Sequence, residues 1–438
     1  MSNGNIELLT AKRERYNFNV TNKKSGKISV AVESLGCKLN QAEMQRLARE
    51  LTEAGYTLVD TPEKADIYIL NTCTVTHVAD RKSRHLLRLA GRLNPGARLI
   101  ATGCYAHRVP QELKDIRGVD LVVGNDRKTD ILELLGGKCG ERGGEPRPSE
   151  SSRRARAFIK VQDGCRNFCA YCIVPYVRTR QTSAAVEDII TQVKEREVDG
   201  SREVVLTGTE IGDYHYDGTD LERLIGRILA ETDVPRLRLS SLQPHHISPR
   251  LIKLWKDPRL CPHFHLSLQS GSDSVLKRMN RRYTAAGYRR AVELIRASVP
   301  DAAITTDVIV GFPGETDEEF RGTLEFCRKM EFARIHVFSF SPRPGTAAAE
   351  MPGRVGDADV KERSKQMLAL ARESARDFQQ KFLGRRVDVL WEQESGGVWS
   401  GLTGNYIRVY AKSADDLTNE LLPVKLVKSY RDGVWGEL

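Results

Sequence analysis

The stretch DGCRNFCAYC, Asp163–Cys172, decides what the rest of the chain must be built around. Its three cysteines, Cys165, Cys169 and Cys172, follow a C-x3-C-x2-C spacing, and Tyr171 precedes the last of them. A cubic iron–sulfur cluster has four iron corners, and proteins normally supply a thiolate to each corner. Three thiolates packed so closely in sequence would leave one iron open to a small-molecule chelator.

Two other uses of clustered cysteines fit the sequence less well. A structural zinc site favours paired C-x2-C units and four ligands, but the first gap here is x3, and Cys139 stands apart in a Gly-rich stretch. A disulfide framework is typical of small secreted proteins, whereas nine cysteines in 438 residues are sparse and odd in number. The N-terminus, MSNGNIELLTAKRERYNF, has no apolar run that could act as a signal peptide.

The spacing, with an aromatic residue before its last cysteine, resembles the radical-SAM superfamily. In that superfamily S-adenosylmethionine (SAM) chelates the iron that lacks a protein ligand, and the cofactor carries the radical chemistry. The resemblance implies a 4Fe-4S cluster on Cys165, Cys169 and Cys172, with SAM as the second cofactor.

Composition predicts a large cytoplasmic enzyme of two or three domains. A chain of 438 residues with 40% hydrophobic residues can bury real cores, and no segment approaches the eighteen or so apolar residues of a membrane span. The net charge of +10, from 68 Lys and Arg against 58 Asp and Glu, is spread thinly along the chain. That excess is compatible with a nucleic-acid partner but does not require one.

The first third of the chain is predicted to form a small doubly wound parallel sheet. Residues 1–26 are polar and aperiodic and are interpreted as a tail. Within 27–138, the runs ISVAVESLG, DIYILNTC, ARLIATGC and VDLVVGN alternate with amphipathic helical stretches, which is typical of an open α/β domain. Residues 139–154 are rich in Gly, Pro, Ser and charge and predict a linker.

A second, longer βα series follows over 155–382. Its candidate strands are AFIKVQ, REVVLTG, RLRLSS, HFHLSLQ, AAITTDVIVG and RIHVFSF. Six βα units are fewer than a closed eight-fold barrel needs, so we expect a partial, open (β/α)6 barrel, with its chemistry at the C-terminal ends of the strands. Over 383–438 the texture changes to short strands, which predict a small β-barrel.

Three further cysteines close predicted strands of the N-terminal domain. Cys37 ends SLGC, Cys73 ends LNTC and Cys104 ends ATGC. Because the C-terminal ends of parallel strands face one crevice, these cysteines can converge there. A single buried cysteine is ordinarily a core residue, but three in the same topological position predict a second three-cysteine cluster. Asn40 and Asn71 are candidate hydrogen-bond donors to its sulfur atoms.

The remaining cysteines are interpreted as structural. Cys139 lies in the linker, Cys261 precedes Pro262 at a strand entrance, and Cys327 lies on the apolar face of a helix. None has a partner at ligand spacing, so none is predicted to bind metal.

Over residues 27–438 the chain closely resembles the radical-SAM methylthiotransferases. The resemblance implies a cysteine-rich N-terminal domain, a radical-SAM partial barrel and a C-terminal domain similar to the TRAM RNA-binding fold. In that family the barrel cluster reductively cleaves SAM and an auxiliary cluster takes part in sulfur insertion. The resemblance therefore implies two 4Fe-4S clusters, of which the auxiliary one is bound by Cys37, Cys73 and Cys104. No catalytic residue beyond the cluster ligands is assigned.

Motifs at the barrel strand ends supply candidate SAM contacts. TGTE follows the second strand, where the superfamily grips the methionine amino group. LSLQSGS closes the fourth strand at a position suited to a ribose hydroxyl, and VIVGFPGET lies where the adenine would rest. The predicted SAM-binding residues are Gly208, Thr209, Glu210, Gln269, Val310 and Gly311. After the third strand, SLQP carries Gln243 where relatives usually have an acid, and Gln243 is given no role.

Short strings around the N-terminal cysteines indicate the substrate. SLGCKLNQAE, NTCTVT and ADRKSR resemble the branch that methylthiolates N6-threonylcarbamoyladenosine beside the tRNA anticodon, at C2 of the base. The alternatives within the family are isopentenyladenosine in tRNA and a ribosomal-protein aspartate. A hypothesis of another class is a two-cluster electron-transfer protein, and a third is a redox-sensing RNA-binding module. Neither of these would need the SAM motifs.

The C-terminal domain favours an RNA partner. It carries Arg385, Arg386, Arg408 and Arg431 together with the aromatics Trp399, Tyr406 and Tyr410. Small barrels with basic and aromatic faces commonly bind RNA, although about half of these aromatics are expected to form the core of so short a domain. The expected partners are the anticodon stem-loop of tRNA and a low-potential electron donor, with no membrane.

Overall fold

The computed structural model describes residues 27–136 and 155–438. The predicted tail over 1–26 and the predicted linker over 139–154, with Cys139, lie outside the described residues. Among the residues that are described, no helix is both long and apolar enough to cross a membrane.

The N-terminal region is a five-stranded parallel sheet in the order β2-β1-β3-β4-β5, as predicted for a doubly wound domain. Each of the four predicted runs forms a strand, and a two-residue strand is added at the edge. Separate hydrophobic clusters cover its two faces. The elements are β1 (Ser29–Ser34), α1 (Lys38–Glu53), β2 (Thr57–Leu58), β3 (Ile67–Thr72), α2 (His77–Leu93), β4 (Arg98–Gly103), α3 (Cys104–Arg108), α4 (Pro110–Lys114), β5 (Val119–Val123) and α5 (Ile131–Leu134).

The second region contains the six predicted barrel strands, with helices between them. Its elements are β6 (Arg156–Lys160), β7 (Gln162–Asp163), α6 (Val174–Val177), β8 (Thr182–Ser183), α7 (Val186–Val198), β9 (Glu203–Thr207), β10 (His215–Tyr216), β11 (Thr219–Asp220), α8 (Leu221–Glu231), β12 (Arg236–Leu239), β13 (Ser241–Leu242), α9 (Pro249–Lys253), β14 (His263–Leu266), α10 (Asp273–Arg278), α11 (Ala285–Ser298), β15 (Ala303–Val310), α12 (Asp317–Lys329), β16 (Arg334–Ser339) and α13 (Asp357–Gln380).

These strands form an open, partial barrel. One sheet has the order β12-β9-β6 and the other the order β13-β14-β15-β16, and a bridge between Leu237 and Leu260 links them. Among the residues that the structure describes, the first strand, β6, pairs only with β9, and the last, β16, pairs only with β15. The barrel is therefore open between β6 and β16, and we call this gap the seam. Helix α1 packs along the β6 side of the seam, where Gln45 Oε1 accepts a hydrogen bond from the Phe158 N–H at 2.9 Å.

The inward face of this barrel is polar. Strand residues that face the helices are apolar and form the main core, whereas alternate positions carry charge. Glu203 and Arg238, on neighbouring strands, are both fully buried and form an ion pair at 2.7 Å. A polar interior is unusual for a packed barrel, where branched apolar residues dominate, and it indicates that the interior is built to bind polar groups.

The C-terminal region is a closed five-stranded barrel in the order β17-β18-β19-β21-β20. This confirms the small β-barrel that the short strands over 383–438 predict. Its core includes Trp391, Trp399 and Leu426, so Trp399 is one of the aromatics that the small barrel needs for itself. The strands are β17 (Arg386–Ser395), β18 (Val398–Thr403), β19 (Arg408–Ala411), β20 (Leu421–Tyr430) and β21 (Gly433–Glu437).

The turn between β18 and β19 closes the N-terminal end of the partial barrel. Tyr406, at the tip, has a φ of +70°, a left-handed conformation that is uncommon for a bulky residue. Its hydroxyl accepts a hydrogen bond from Arg156 Nη1 at 2.9 Å, its ring stacks on His263 at 4.7 Å, and Arg238 lies over the ring at 4.5 Å. The C-terminal barrel is thereby fixed to three strands of the second region.

Candidate active site

The loop that carries Cys165, Cys169 and Cys172 follows β6 and β7 at the C-terminal end of the barrel. It begins at Gly164, where φ is +75° and a Cβ would stand 2.1 Å from the Arg180 carbonyl oxygen, so a side chain cannot fit. Backbone hydrogen bonds then tie the loop to the barrel at Ala170, which donates to the Met279 carbonyl and accepts from the Ala348 N–H. The three thiols are partly exposed.

Polar groups approach two of these sulfur atoms. Arg281 Nη1 donates to Cys169 Sγ at 3.1 Å, and the Asn167 N–H donates to Cys165 Sγ at 3.5 Å. Burial raises the pKa of the Cys165 thiol to about 11 and that of Cys172 to about 12. A metal that takes these groups as thiolates must therefore displace protons, and the guanidinium of Arg281 would stabilise the resulting charge.

Glu210 lies beside the cysteine loop in a buried polar network. Its Oε2 accepts from Gln243 Nε2 at 2.8 Å and from Asn167 Nδ2 at 3.3 Å, and its Oε1 lies 3.5 Å from His246 Nδ1. Burial raises the pKa of this carboxyl. Glu210 thus stands next to the loop residue that contacts Cys165, which is a suitable place for the ammonium group of an amino acid.

Gln243 has a place in the site that the sequence did not reveal. Its amide nitrogen donates to Glu210, and its Oε1 accepts from Arg281 Nη2. Since Arg281 also donates to Cys169, Gln243 connects Glu210 to the cysteine loop. The interpretation that gave Gln243 no role is therefore corrected.

The other predicted SAM contacts lie at the strand ends but differ in what they can offer. Gly208 is packed so that a Cβ would stand 2.8 Å from the Gln162 carbonyl oxygen, and Thr209 Oγ1 donates to Asp163 at 3.4 Å. Gln269 has a φ of +67°, and its backbone N–H donates to the Asp307 carbonyl. Within the described residues, the side-chain amide of Gln269 has no hydrogen-bond partner, so it is free for a ligand.

Val310 and Gly311 offer only backbone. The Val310 side chain is fully buried in the main core, and its carbonyl accepts from the Phe340 N–H. Gly311 has a φ of +74°, and its N–H donates to Glu315 Oε2 at 2.8 Å. Gly311 also lines a cavity of about 370 Å³ with Ser339, Phe340, Pro342, Arg354, Val355, Asp357, Val360, Lys361 and Ser364. An apolar contact from the Val310 side chain to an adenine is not available.

The structure brings the three N-terminal cysteines together, as their positions at strand ends predict. Burial, together with the neighbouring thiols of Cys104 and Cys37, raises the pKa of Cys73 to about 12. Gly36 has a φ of +96°, and a Cβ there would stand 2.8 Å from Cys73 Sγ. Gly103, at a φ of +100°, is also crowded, by the side chain and backbone of the adjoining strand.

Asn40 and Asn71 were predicted to donate hydrogen bonds to the sulfur atoms of this group, but their side-chain amides donate to other partners. Asn40 donates its amide hydrogens to two backbone carbonyls, those of Leu35 and Thr72. The Asn71 amide donates to the Asn40 carbonyl and to Glu43. The amide that does point at a thiol is that of Asn125, whose Nδ2 lies 3.6 Å from Cys104 Sγ. The side-chain amides of Asn40 and Asn71 thus donate to backbone carbonyls and to Glu43 and not to a cysteine Sγ, although Asn40 does contact the group, since its Oδ1 accepts from Cys37 Sγ at 3.8 Å.

The spacing of the thiols fits a polynuclear cluster better than a single ion. Four thiolates on one tetrahedral zinc at 2.3 Å would lie about 3.8 Å apart. In the described part of the chain, no set of three cysteine sulfur atoms lies wholly within 4.8 Å. A cube in which each cysteine binds a different iron holds its thiolates farther apart than a single zinc ion does.

A direct contact joins the N-terminal cysteine set to the segment that follows the barrel cysteine loop. Cys104 packs against Ile173 and Val177, which immediately follow the barrel cysteine loop. Asn125 strengthens this contact, since its Nδ2 also donates to the Val177 carbonyl at 2.8 Å. The N-terminal sheet and the partial barrel therefore present their cysteines to one shared region.

A buried charge network joins the same two regions. Arg178, whose side chain is 3% exposed, contacts Glu43 and Asp163, each at 2.8 Å. Lys128 Nζ lies 2.5 Å from Glu43, and Lys160 Nζ lies 3.0 Å from Asp163. These cations hold the pKa of the Glu43 carboxyl well below its usual range, although burial opposes them. Sequence analysis missed this group because its members are far apart along the chain.

Comparison with known proteins places these features in one family. A family described as the radical SAM superfamily matches residues 159–327, and a family described as uncharacterized protein family UPF0004 matches residues 29–124. The threonylcarbamoyladenosine tRNA methylthiotransferase MtaB of Bacillus subtilis is 35% identical, covering 92% of this chain and 96% of the relative. The tRNA-2-methylthio-N(6)-dimethylallyladenosine synthase of Endomicrobium trichonymphae is 31% identical, covering 93% and 99%.

Among solved structures, the fold is similar to that of the radical S-adenosylmethionine methyltransferase TsrM from Kitasatospora setae with cobalamin and a [4Fe-4S] cluster bound. The TM-score is 0.54 at 17% identity, covering 74% of this chain and 77% of that one. These comparisons confirm the predicted α/β architecture and enzyme class, and they imply SAM and a 4Fe-4S cluster as cofactors. The chain belongs to the radical SAM tRNA methylthiotransferases.

Proposed function

We propose that this protein methylthiolates C2 of N6-threonylcarbamoyladenosine beside the anticodon of tRNA. The observation that carries the proposal is the contact of Cys104 with Ile173 and Val177, which turns two three-cysteine sets toward one region. A sulfur-inserting enzyme needs both its radical source and its sulfur-bearing centre near the same carbon atom. The higher identity to a relative named for threonylcarbamoyladenosine than to one named for dimethylallyladenosine supports the choice of base.

The proposal includes two clusters and one SAM site around this region. The proposed ligands of the SAM-cleaving cluster are Cys165, Cys169 and Cys172, and those of the auxiliary cluster are Cys37, Cys73 and Cys104. The proposed SAM contacts are the Glu210 carboxylate, the free Gln269 amide, the Gly208–Thr209 turn and the backbone at Val310–Gly311. The domain division that goes with this assignment is 27–138, 155–382 and 383–438.

A bound 4Fe-4S cluster with SAM supplies hydrogen abstraction from a C–H bond that no side-chain base can activate. The chain's own contribution is to bind, orient and exclude water. Glu210 offers a charge partner to the amino group of SAM, and Arg281 donates to Cys169 at 3.1 Å. The buried pair of Arg178 with Glu43 fixes the N-terminal sheet against the barrel, so that the two cysteine sets keep their relative position.

The C-terminal barrel is the proposed tRNA-binding surface. Arg386 and Lys428 are exposed on its strands, and Arg431 lies over the ring of Tyr430 at 5.1 Å. Trp399 and Tyr410 are buried, so they are not stacking platforms for RNA bases. Phosphate contact through the arginines and lysines is the proposed mode of binding for this surface. A low-potential electron donor is a further proposed partner, because cleavage of SAM consumes an electron.

Mass spectrometry of nucleosides from bulk tRNA, with and without the gene, tests the proposal. We expect methylthio-threonylcarbamoyladenosine to disappear and its precursor to accumulate. Wild-type protein supplied from a plasmid should restore the nucleoside, and the Cys165→Ala variant should not. If that nucleoside is unchanged by loss of the gene, the substrate proposal is wrong, and methylthio-isopentenyladenosine in the same data is the next to be compared.

A further inference from the structure

The inward face of the edge strand β16 carries two exposed side chains whose purpose the proposed function does not explain. Phe338 is 45% exposed, and the side chain of His336 is 39% exposed. Their neighbours Ile335 and Val337 pack into the main core on the other face of the strand. His336 and Phe338 therefore point into the partial barrel, at the edge of the seam.

His336 is held by a hydrogen-bonded chain that crosses three strands. Its Nδ1 lies 3.1 Å from Asp307 Oδ1, and Asp307 Oδ2 lies 3.1 Å from His265 Nε2. The other nitrogen of His265 lies 2.9 Å from Thr305 Oγ1, which in turn lies 3.2 Å from His263 Nε2. The chain ends at the ring that stacks on the C-terminal barrel, so the orientation of His336 is fixed by the fold.

This series of hydrogen bonds uses only one nitrogen of His336 and leaves the other for a ligand. The imidazoles of His265 and His336 hold the pKa of the Asp307 carboxyl well below its usual range, although burial opposes them. The ionised carboxylate accepts one N–H from each ring, which assigns a proton to His336 Nδ1. Within the described residues, no hydrogen bond of His336 Nε2 is found, and the side chain is 39% exposed. Because its Nδ1 is held by Asp307, the ring can present its Nε2 in a fixed direction to a polar group of a substrate.

The height of this pair in the barrel fits the reacting base. Phe338 is directly opposite Ile309 in the sheet register, and Ile309 packs in one cluster with Ala170 and Tyr171 of the cysteine loop. Phe338 is thus level with the layer in which SAM would lie. His336, two residues earlier, lies about 6.6 Å deeper, which is close to the reach of a substituent on a purine.

The seam gives the base a way in. Across it stand β6 and α1, with Lys160 partly exposed on β6. The Ser341 hydroxyl accepts a hydrogen bond from the His77 N–H at 3.2 Å, so the N-terminal sheet meets the chain just beyond β16. A nucleotide extruded from its stack enters such a site and is gripped by an aromatic ring and by hydrogen bonds to its edge.

We propose that Phe338 and His336 form the pocket for the modified adenine, with Phe338 stacking on the purine and His336 bonding the threonylcarbamoyl group. This inference rests on the proposed function. The threonylcarbamoyl group carries a carboxylate and a hydroxyl, whereas an isopentenyl group is hydrocarbon. A neutral His336 accepts from the hydroxyl through Nε2, and a protonated one donates to the carboxylate. His336 is therefore a specificity-determining residue, and Phe338 serves any adenine that enters.

Stem-loop RNAs carrying threonylcarbamoyladenosine or isopentenyladenosine test the proposal with the holoenzyme. We expect His336→Phe to lower kcat/KM on the threonylcarbamoyl RNA about tenfold or more, mainly through KM, and to narrow the preference between the two RNAs. His336→Gln, which keeps a donor and an acceptor, should recover much of the loss. Phe338→Ala should lower kcat/KM on both RNAs by a similar factor. His215→Phe, at an exposed histidine on β10, is the matched control and should change neither.

Three outcomes would overturn the inference. The first is an equal loss, or no loss, on both RNAs for His336→Phe. The second is a stoichiometric metal, in addition to cluster iron, that wild-type protein holds and His336→Phe lacks, because the ligand atoms of His265, Asp307 and His336 also lie within 4.8 Å of one another. The third is a wild-type enzyme inactive on the threonylcarbamoyl RNA. That last result removes the proposed function as well, whereas the first two leave it standing.

Discussion

Gln243 Nε2 donates a hydrogen bond of 2.8 Å to Glu210 Oε2. The same glutamine accepts from Arg281, which donates to Cys169. A neutral amide can satisfy a carboxylate on one side and a guanidinium on the other, because it carries both a donor and an acceptor. Gln243 therefore sets the charge of the site beside the cysteine loop.

Replacing Gln243 with Glu should make stability depend on pH. Burial already raises the pKa of Glu210, and a second carboxylate beside it would raise the pKa of the pair further. A carboxyl whose folded-state pKa is raised loses its contribution to stability as pH rises through that value. We expect the melting temperature of Gln243→Glu to fall further below wild type as pH increases from about 4, the ordinary carboxyl pKa, toward about 8.

Gln243→Met is the matched control, because it keeps the length of the side chain without a charge. Its deficit in melting temperature should be independent of pH over the same interval. A Gln243→Glu deficit that is constant with pH would show that the new carboxylate is not coupled to Glu210.

The two cysteine sets should be separable by iron content and by reaction. Cys165→Ala should lose SAM cleavage and about half the iron, and Cys73→Ala should lose about half the iron and methylthiolation but keep SAM cleavage, since each cluster takes its own three thiolates. Iron analysis and 5′-deoxyadenosine release measure the two effects. Cys327→Ala, a fully buried thiol on α12, should retain all iron. Equal loss of SAM cleavage in the first two variants would contradict this division.

Two glycines of the N-terminal sheet form a pair that separates backbone strain from crowding at a thiol. Gly36 has a φ of +96° and Gly55 a φ of +91°. A Cβ at Gly36 would stand 2.8 Å from Cys73 Sγ, whereas nothing lies within 4 Å of one at Gly55. Both alanine variants should pay about 1–2 kcal/mol of backbone strain, but only Gly36→Ala should also lose iron from the N-terminal cysteines.

Iron content and urea unfolding of the two variants provide the measurement. If Gly55→Ala loses as much iron as Gly36→Ala, the effect comes from strain in the sheet as a whole and not from the approach to Cys73.

Removing Arg178 should loosen the joint between the N-terminal sheet and the barrel. Its guanidinium is the shared partner of Glu43 and Asp163, and Arg178→Met would leave two buried carboxylates with less positive charge. Breaking a buried pair from one side typically costs about 3–5 kcal/mol. Urea unfolding should show that loss, and added salt should not rescue it.

The exposed pair of Arg46 with Glu50, on the surface of α1, is the comparison. Arg46→Met should change the free energy of unfolding by about 0.5 kcal/mol or less, because water screens such a pair. A similar small change for Arg178→Met would mean that the buried network contributes little to the joint.

The sequence was most informative where chemistry depends on local spacing. Cys165, Cys169 and Cys172 lie in one loop, so their spacing alone indicated a cluster with an open iron. The alternation of apolar runs indicated both the parallel sheet and the partial barrel, because each strand and each helix carries its own hydrophobic period. Cys37 and Cys73 were found by a rule of topology, since strand ends of a parallel sheet share an edge.

Contacts between distant segments were beyond that kind of reasoning. Val310 occupies a promising motif, yet the pleat turns its side chain into the core, and a shift of one residue would have turned it outward. Asn40 and Asn71 were predicted as donors from their positions, but their amides donate to backbone carbonyls and, for Asn71, also to Glu43. No role could be predicted for Gln243, because its partners Arg281 and Glu210 are distant in sequence and meet it only in the folded chain.

The sequence by itself determined which elements form and which thiols stand in one loop or at neighbouring strand ends, because periodicity and residue spacing are encoded over a few residues. Tertiary structure alone decided how those elements meet: that Arg178 joins Glu43 to Asp163, and that Cys104 packs onto the barrel cysteine loop. It alone aligned His336 with Asp307. The residues in each of these contacts belong to different helices, strands or loops. Only the packing of the whole chain brings them together.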